Sequence, residues 1–255
     1  MMQDILGVPI DVRLLVACAA VAVGGLMRGF VGFGAALVIV PVMTLAYGPH
    51  IAVVAQTIIG VPALIQLLPD AIRHSERAIV APMALAILLA APFGTWMLVA
   101  ASPALMKIVI AVLVLLMVAM LGKGWRLEHA SAPTLVLAGI AGGLVQGVSG
   151  MGGPPVVAVA LSRPGPPERQ RGNVLAAMTA ITISSVLPLW QFGLFTRQAL
   201  VMGLVLLPVY ILSIRVGGRY FARSGGHNFR PAALLTLAVI GATTLLAALR
   251  DYLSS

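Results

Sequence analysis

Arg28 sits between two apolar runs, in Gly25-Leu-Met-Arg-Gly-Phe-Val-Gly-Phe-Gly34. A guanidinium presents five N–H donors in a rigid fork, which suits an oxyanion. A charge inside an apolar stretch is costly, so it is a functional candidate by default; if the stretch ends in water, Arg28 is an ordinary loop arginine. At an offset of 118 residues, Gln146 takes its place in Gly143-Leu-Val-Gln-Gly-Val-Ser-Gly-Met-Gly152, which runs on into Gly153-Pro-Pro155. Gln146 is a neutral donor and acceptor. The Ser149 hydroxyl can bind an anion, or the residue can simply be small enough to let helices approach. Glycine lets backbone N–H groups come close to a ligand, because no side chain intervenes. The candidate anion site is therefore Arg28, Gly29, Gly32 and Gly34 from the first stretch, with Gln146, Ser149, Gly150, Gly152, Gly153 and Pro154 from the second.

Further polar residues interrupt apolar segments: Gln56, Thr57, Gln66, Thr179, Thr182, Ser184 and Ser185. Each can line a pathway, although Ser and Thr more often satisfy their own helix backbone. Gln56, Thr57 and Thr179 are grouped with the site. Asn173 stands near an expected helix start, where capping is its expected role. Arg215, in Ile211-Leu-Ser-Ile-Arg-Val-Gly217, either snorkels to a membrane face or offers a second cation to the substrate.

The elements that hold these residues follow from composition. Of 255 residues, 60% are hydrophobic and 9% charged. A soluble domain carries about 25% charged residues, so a bilayer must replace the missing polar surface. The net charge of +9 comes from basic residues scattered singly, which excludes a nucleic-acid patch. Asp4 and Asp11, with no basic stretch, precede the first apolar run, which argues against a cleaved signal peptide. Apolar segments fall near 12–27, 31–46, 51–69, 78–100 and 103–121, then near 133–148, 154–162, 172–190, 198–221 and 231–249. The expected fold is an all-α polytopic membrane protein of 8–10 segments.

The halves repeat. Over residues 25–39, six of fifteen positions are identical to those 118 residues later: Gly25, Leu26, Gly29, Gly32, Gly34 and Val38. The expected organisation is a membrane repeat over 1–121, a cytoplasmic linker over 122–132 and a second repeat over 133–255. Each half opens on a short second segment behind a glycine-rich break. Glycine weakens a helix by about 1 kcal/mol and proline by about 3, so the breaks at 28–34 and 146–155 are expected to interrupt the helix. Each pair, 12–46 and 133–162, is expected as a hairpin, either crossing fully or re-entrant with its tip inside the membrane.

Charge supports the plan. With the N-terminus outside and ten alternating segments, inside loops hold ten basic residues and outside loops four, Arg28 and Arg215 set aside. Counting each hairpin as one crossing removes the bias. An odd number of segments per half makes the repeats inverted, puts both termini in the periplasm and aims the two tips toward the midplane. Inverted repeats with interrupted helices mark secondary transporters, and a half-helix N-terminus attracts anions through free N–H groups and its dipole.

Other chemistries find little support. All seven acidic residues and all four histidines fall in breaks or at ends, so no proton carrier is evident within the segments and no histidine cluster could hold a metal. Cys18 is alone. The Gly29–Gly34 stretch lacks the Gly-Lys-Ser/Thr of a nucleotide loop. Gly147-Val-Ser-Gly150 matches the Gly-x-Ser-Gly of rhomboid-type proteases, but the only later histidine, His227, lies in a basic loop. No enzyme activity and no cofactor is expected.

Taken together, Gly25-Leu26, Gly29-Phe-Val-Gly-Phe-Gly34 and Val40-Pro41, with Gly143-Leu144 and Gly147-Val-Ser-Gly-Met-Gly-Gly-Pro154, resemble the two signatures of the sulfite exporter TauE/SafE family. The first signature departs at Ala35 and Ala36, where the family often continues with glycine. The resemblance implies a permease of the bacterial inner membrane whose substrate is a small anion, sulfite or an organosulfonate such as sulfoacetate. The expected activity is export by alternating access. An anion-selective channel, or an uptake permease for a related sulfur-containing or carboxylate anion, is the alternative.

Overall fold

The computed structural model describes residues 4–5, 8–9, 11–31, 34–122, 131–160 and 167–224, with positions 242, 245–246 and 250. Nine helices occupy the described residues: α1 Val12–Val31, α2 Ala35–Tyr47, α3 Pro49–His74, α4 Arg77–Ala100, α5 Pro103–Gly122, α6 Ala132–Ser149, α7 Gly153–Ala160, α8 Pro167–Gln191 and α9 Arg197–Ser224. Two-residue strands β1 (Asp4–Ile5) and β2 (Val8–Pro9) pair antiparallel ahead of α1. The tenth expected segment, 231–249, lies outside the described residues.

Among the described residues, six helices are long and apolar enough to cross a membrane: α4 and α6 whole, and most of α1, α5, α8 and α9. Their outer faces carry bare apolar side chains, among them Phe93, Leu137, Ile183 and Leu204. Trp96 and Trp190, each near the C-terminal end of its helix, are also exposed, as aromatic rings are at a membrane–water interface. Helices α2 and α7 are different. They have 13 and 8 residues. At about 1.5 Å per residue, neither spans a hydrocarbon core of about 30 Å.

The breaks are narrower than the glycine content predicts. Helix α1 continues through Arg28, Gly29, Phe30 and Val31 instead of ending at 27, so Arg28 lies in its last helical turn. Helix α6 likewise includes Gln146 to Ser149 and stops at Gly150. A single helical glycine costs only about 1 kcal/mol, and side-chain packing on neighbouring helices offsets it. The stops fall where the backbone turns left-handed, at Gly34 (φ 94°) and Gly150 (φ 69°). Helix α3 also runs past Pro69 to His74, and α8 starts five residues earlier than expected, at Pro167.

Element starts keep the sequence offset. Helices α2 and α7 begin 118 residues apart, at Ala35 and Gly153, as do α3 and α8, at Pro49 and Pro167. The compact units do not follow the halves. One unit comprises residues 1–59, 101–122 and 194–255, and the other 60–100 and 123–193. In the first, α1 packs along α9 and turns back on α2, which rests on α5. Leu37, Ile39, Met43, Met106, Ile110, Met202 and Leu206 are buried. In the second, α6 packs along α4, and α7 and α8 complete the core. There Met83, Ile87, Val156, Ala160, Ala177 and Ile181 form one cluster. The first helix of each half thus packs on the fourth helix of the other half.

Small residues make the α4–α6 contact. A Cβ on Gly143 would stand 2.6 Å from the Ile87 carbonyl oxygen and 2.9 Å from the Ala90 methyl. A Cβ on Gly147 would meet the Ala91 carbonyl and the backbone of Gly94 and Thr95. Gly139, Gly143 and Gly147 repeat every four residues, as do Ala86, Ala90 and Gly94 on α4. Such stripes let membrane helices approach closely.

Asn173 does cap a helix, but not its own. It lies inside α8, is buried, and its Oδ1 accepts the Glu76 N–H at 2.7 Å just ahead of α4. The nearby Arg169–Glu76 ion pair, at 3.8 Å between partly exposed side chains, adds little. Asn173→Ala should lower stability by about 1–3 kcal/mol through the unpaired N–H, read as a drop in melting temperature in detergent. Ser131→Ala should do less, because Ser131 at the α6 N-cap makes no side-chain capping bond to its helix.

Candidate functional sites at the hairpin tips

The first tip joins the end of α1 to the start of α2. Gly24 faces Ile39 and the Ala35 carbonyl, and the Met27 methyl lies 3.8 Å from where a Cβ on Gly34 would be. Helix α2 has Gly34 as its N-cap, with no side-chain capping bond and no acidic residue in its first turn. Leu37 donates to the Gly34 carbonyl at 3.1 Å. The N–H groups ahead of it, at Gly34, Ala35 and Ala36, are those a helix start leaves without helical partners. Arg28 and Gly29 are both half-buried beside this end. Gly32 lies outside the described residues. The first tip therefore combines a half-buried cation in the last turn of α1 with a helix N-terminus that no side chain caps.

Arg28 also faces α9. Gly25, one turn before it, abuts Tyr210 and Ser213, with the Tyr210 ring 3.4 Å from a Cβ at Gly25. The Arg28 guanidinium lies within electrostatic reach of the Tyr210 hydroxyl. That hydroxyl is fully buried and makes no hydrogen bond among the described residues. Ser213 instead donates to the Val209 carbonyl at 2.7 Å.

The second tip is held differently. The Gln146 Oε1 accepts the Gly152 N–H at 3.0 Å, and its Nε2 donates to Ser185 Oγ on α8 at 2.7 Å. Both ends of the carboxamide are thus engaged in tying the tip to α8. The Gly150 N–H returns to the Gln146 carbonyl at 2.7 Å. Gly152 packs against Gly142 and Gln146, Pro154 is buried, and Gly153 is half-buried beside Met178. Pro154 and Pro155 have no N–H, and that of Gly152 is taken. The α7 N-terminus therefore offers fewer free donors than that of α2.

The hydroxyls singled out in the sequence mostly serve their own helices. Ser149 donates to Val145 O at 2.6 Å, Thr57 to Val53 O at 2.9 Å, Thr179 to Leu175 O at 2.8 Å, Thr182 to Met178 O at 3.0 Å and Ser184 to Ile181 O at 2.8 Å. Gln56 is buried, and its Oε1 has no partner among the described residues. The side chain of Gln66 lies outside the described residues. Arg215 is exposed, as a cation snorkelling from a membrane helix is.

These tips sit in a chain whose kinship is clear. The family described as "Sulfite exporter TauE/SafE" matches residues 16–244, nearly the whole chain. The chain belongs to that family. A relative from Cupriavidus necator H16, named "Probable sulfite/organosulfonate exporter TauE", is 25% identical over 246 residues, covering 92% of this chain and 94% of its own. No solved structure matches. TauE/SafE proteins are membrane transporters and not enzymes, and with six helices able to cross a bilayer among its described residues this chain is a multi-pass transport protein. Within that setting, sequence reading missed Tyr210. The available signal was a phenol in an apolar run, Leu206-Leu-Pro-Val-Tyr-Ile-Leu212, but tyrosine is a common core residue and nothing local ties it to Arg28. The pairing of Gln146 with Ser185 was also hidden, because it spans 39 residues.

Proposed function

We propose that this protein exports a small sulfur oxyanion, sulfite or an organosulfonate such as sulfoacetate, across the bacterial inner membrane by alternating access. The observation that carries this reading is the first tip, where half-buried Arg28 stands beside the uncapped N-terminus of α2. The anion's oxygens would take the Arg28 fork and the N–H groups that open α2, at Gly34, Ala35 and Ala36; Gly29, helical within α1, has its N–H in the helix. The second tip, with Ser149, Gly150, Gly152, Gly153 and Pro154 braced by Gln146, would shape the pathway, as would Gln56, Thr57 and Thr179. The kept 118-residue offset of helix starts supports two inverted repeats, 1–121 and 133–255, about a cytoplasmic linker at 122–132. Both termini would then be periplasmic.

Energy supports outward transport. Moving one anion out of a negative interior releases about 2.3 kcal/mol per 100 mV, so no intramembrane carboxylate is required. The test is ligand-dependent melting of the purified protein with sulfite, sulfoacetate and a chloride control. A ligand that binds only the native state raises the melting temperature by mass action. The expected result is stabilisation by a sulfur oxyanion and none by chloride. No shift with any sulfur anion would remove this substrate class.

A further inference from the structure

The Tyr210 hydroxyl stands out among the buried polar groups. It is 1% exposed on α9 and makes no hydrogen bond among the described residues. A buried hydroxyl proton without an acceptor is expensive, and a bound ligand oxygen would relieve that cost. Its ring lies against Gly25, and Gly25 and Arg28 share one face of α1, three residues apart. The same face therefore brings the phenol and the guanidinium together, and Arg28 lies within electrostatic reach of this hydroxyl. Tyr47 is also unpartnered, but Asp11 and Arg13 both act on it, so their charges offset and no anion is favoured there. Thr44 and Gln56 have unpartnered oxygens of their own. Nothing ties either to a cation.

We infer that Tyr210 is a further substrate-binding residue, its O–H donating to one oxygen of an anion whose other oxygens face Arg28. The inference rests on the proposed anion site at the first tip and narrows its substrate to a head group with several acceptor oxygens. A phenol oxygen can accept a guanidinium N–H, but the phenol's own proton and the remaining guanidinium N–H groups still lack an acceptor. An oxyanion between them satisfies both.

The experiment compares wild type, Tyr210→Phe and Ser213→Ala as full chains in detergent, titrated with sulfite and with sulfoacetate by calorimetry. Melting of each ligand-free protein is measured alongside. Hydrogen bonds to charged groups are worth about 1.5–3 kcal/mol, so Kd should rise about tenfold or more in Tyr210→Phe. Its ligand-free melting temperature should stay level or rise, because an unpaired buried hydroxyl is lost. Ser213→Ala should bind as wild type does, its hydroxyl being satisfied within α9. Wild-type affinity in Tyr210→Phe overturns the inference and leaves the site at Arg28 standing. A lowered ligand-free melting temperature in Tyr210→Phe overturns it too, because the hydroxyl would then have a structural partner. If wild type binds neither anion, the proposed site falls and the inference with it.

Discussion

Arg28→Ala should abolish most export while leaving a folded protein. Arg28 is half-buried in the last turn of α1, beside a helix N-terminus with no capping side chain. Removing one partner of a desolvated charge pair costs about 2–5 kcal/mol, or at least about thirtyfold in affinity. Arg28→Lys should retain part of the flux, since it keeps the charge and loses the planar fork. The fold should tolerate both changes, because the hairpin is held by apolar packing, with Leu37, Ile39 and Met43 buried and Gly24 against Ile39. Efflux of ³⁵S-labelled sulfite from proteoliposomes measures the effect, with size exclusion confirming the fold. Wild-type flux in Arg28→Ala would make the arginine a helix-end cation and place the anion elsewhere.

The largest effect on stability should come from Gly147→Leu. A side chain there would drive into the Ala91 carbonyl and the backbone of Gly94 and Thr95, none of which can rotate away. Over-packing a tight core costs about 1–3 kcal/mol and sometimes more, and leucine against backbone belongs at or beyond the upper end. Gly147→Ala should already lower the melting temperature. Gly60→Ala should do the opposite. Its Cβ would find only the Thr182 methyl at 3.9 Å, an ordinary contact, and alanine is about 1 kcal/mol better than glycine in a helix. Thermal melts of the three variants give the order. Gly147→Leu melting like wild type would mean that α4 and α6 do not touch along this stripe.

Much of the architecture is legible in the sequence because hydropathy acts locally. The apolar runs at 78–100 and 103–121 match α4 and α5 to within a residue. The short segments behind the glycine breaks became α2 and α7, each too short to cross a hydrocarbon core on its own. Break positions were harder. Gly29 and Gly147 look like breakers when counted by propensity, yet both are helical, since tertiary contacts against α9 and α4 outweigh a local cost of about 1 kcal/mol each. Arg28 was legible as a lone charge in an apolar run. Gln146 was legible as its counterpart, but not its bonds to Gly152 and Ser185. Tyr210 and the cap from Asn173 to Glu76 depend on contacts across about 180 and 97 residues, which no local pattern encodes.

The measurement closest to the central proposal is counterflow. Proteoliposomes holding the purified protein are loaded with ³⁵S-labelled sulfite, and efflux is followed with and without unlabelled sulfite outside, the potential being clamped. Alternating access at one anion site predicts efflux that saturates with internal sulfite, accelerates when external sulfite is added and rises with an inside-negative potential. It should persist when only the pH gradient is collapsed. Efflux that never saturates, ignores external sulfite and appears as single-channel current in a planar bilayer would contradict it.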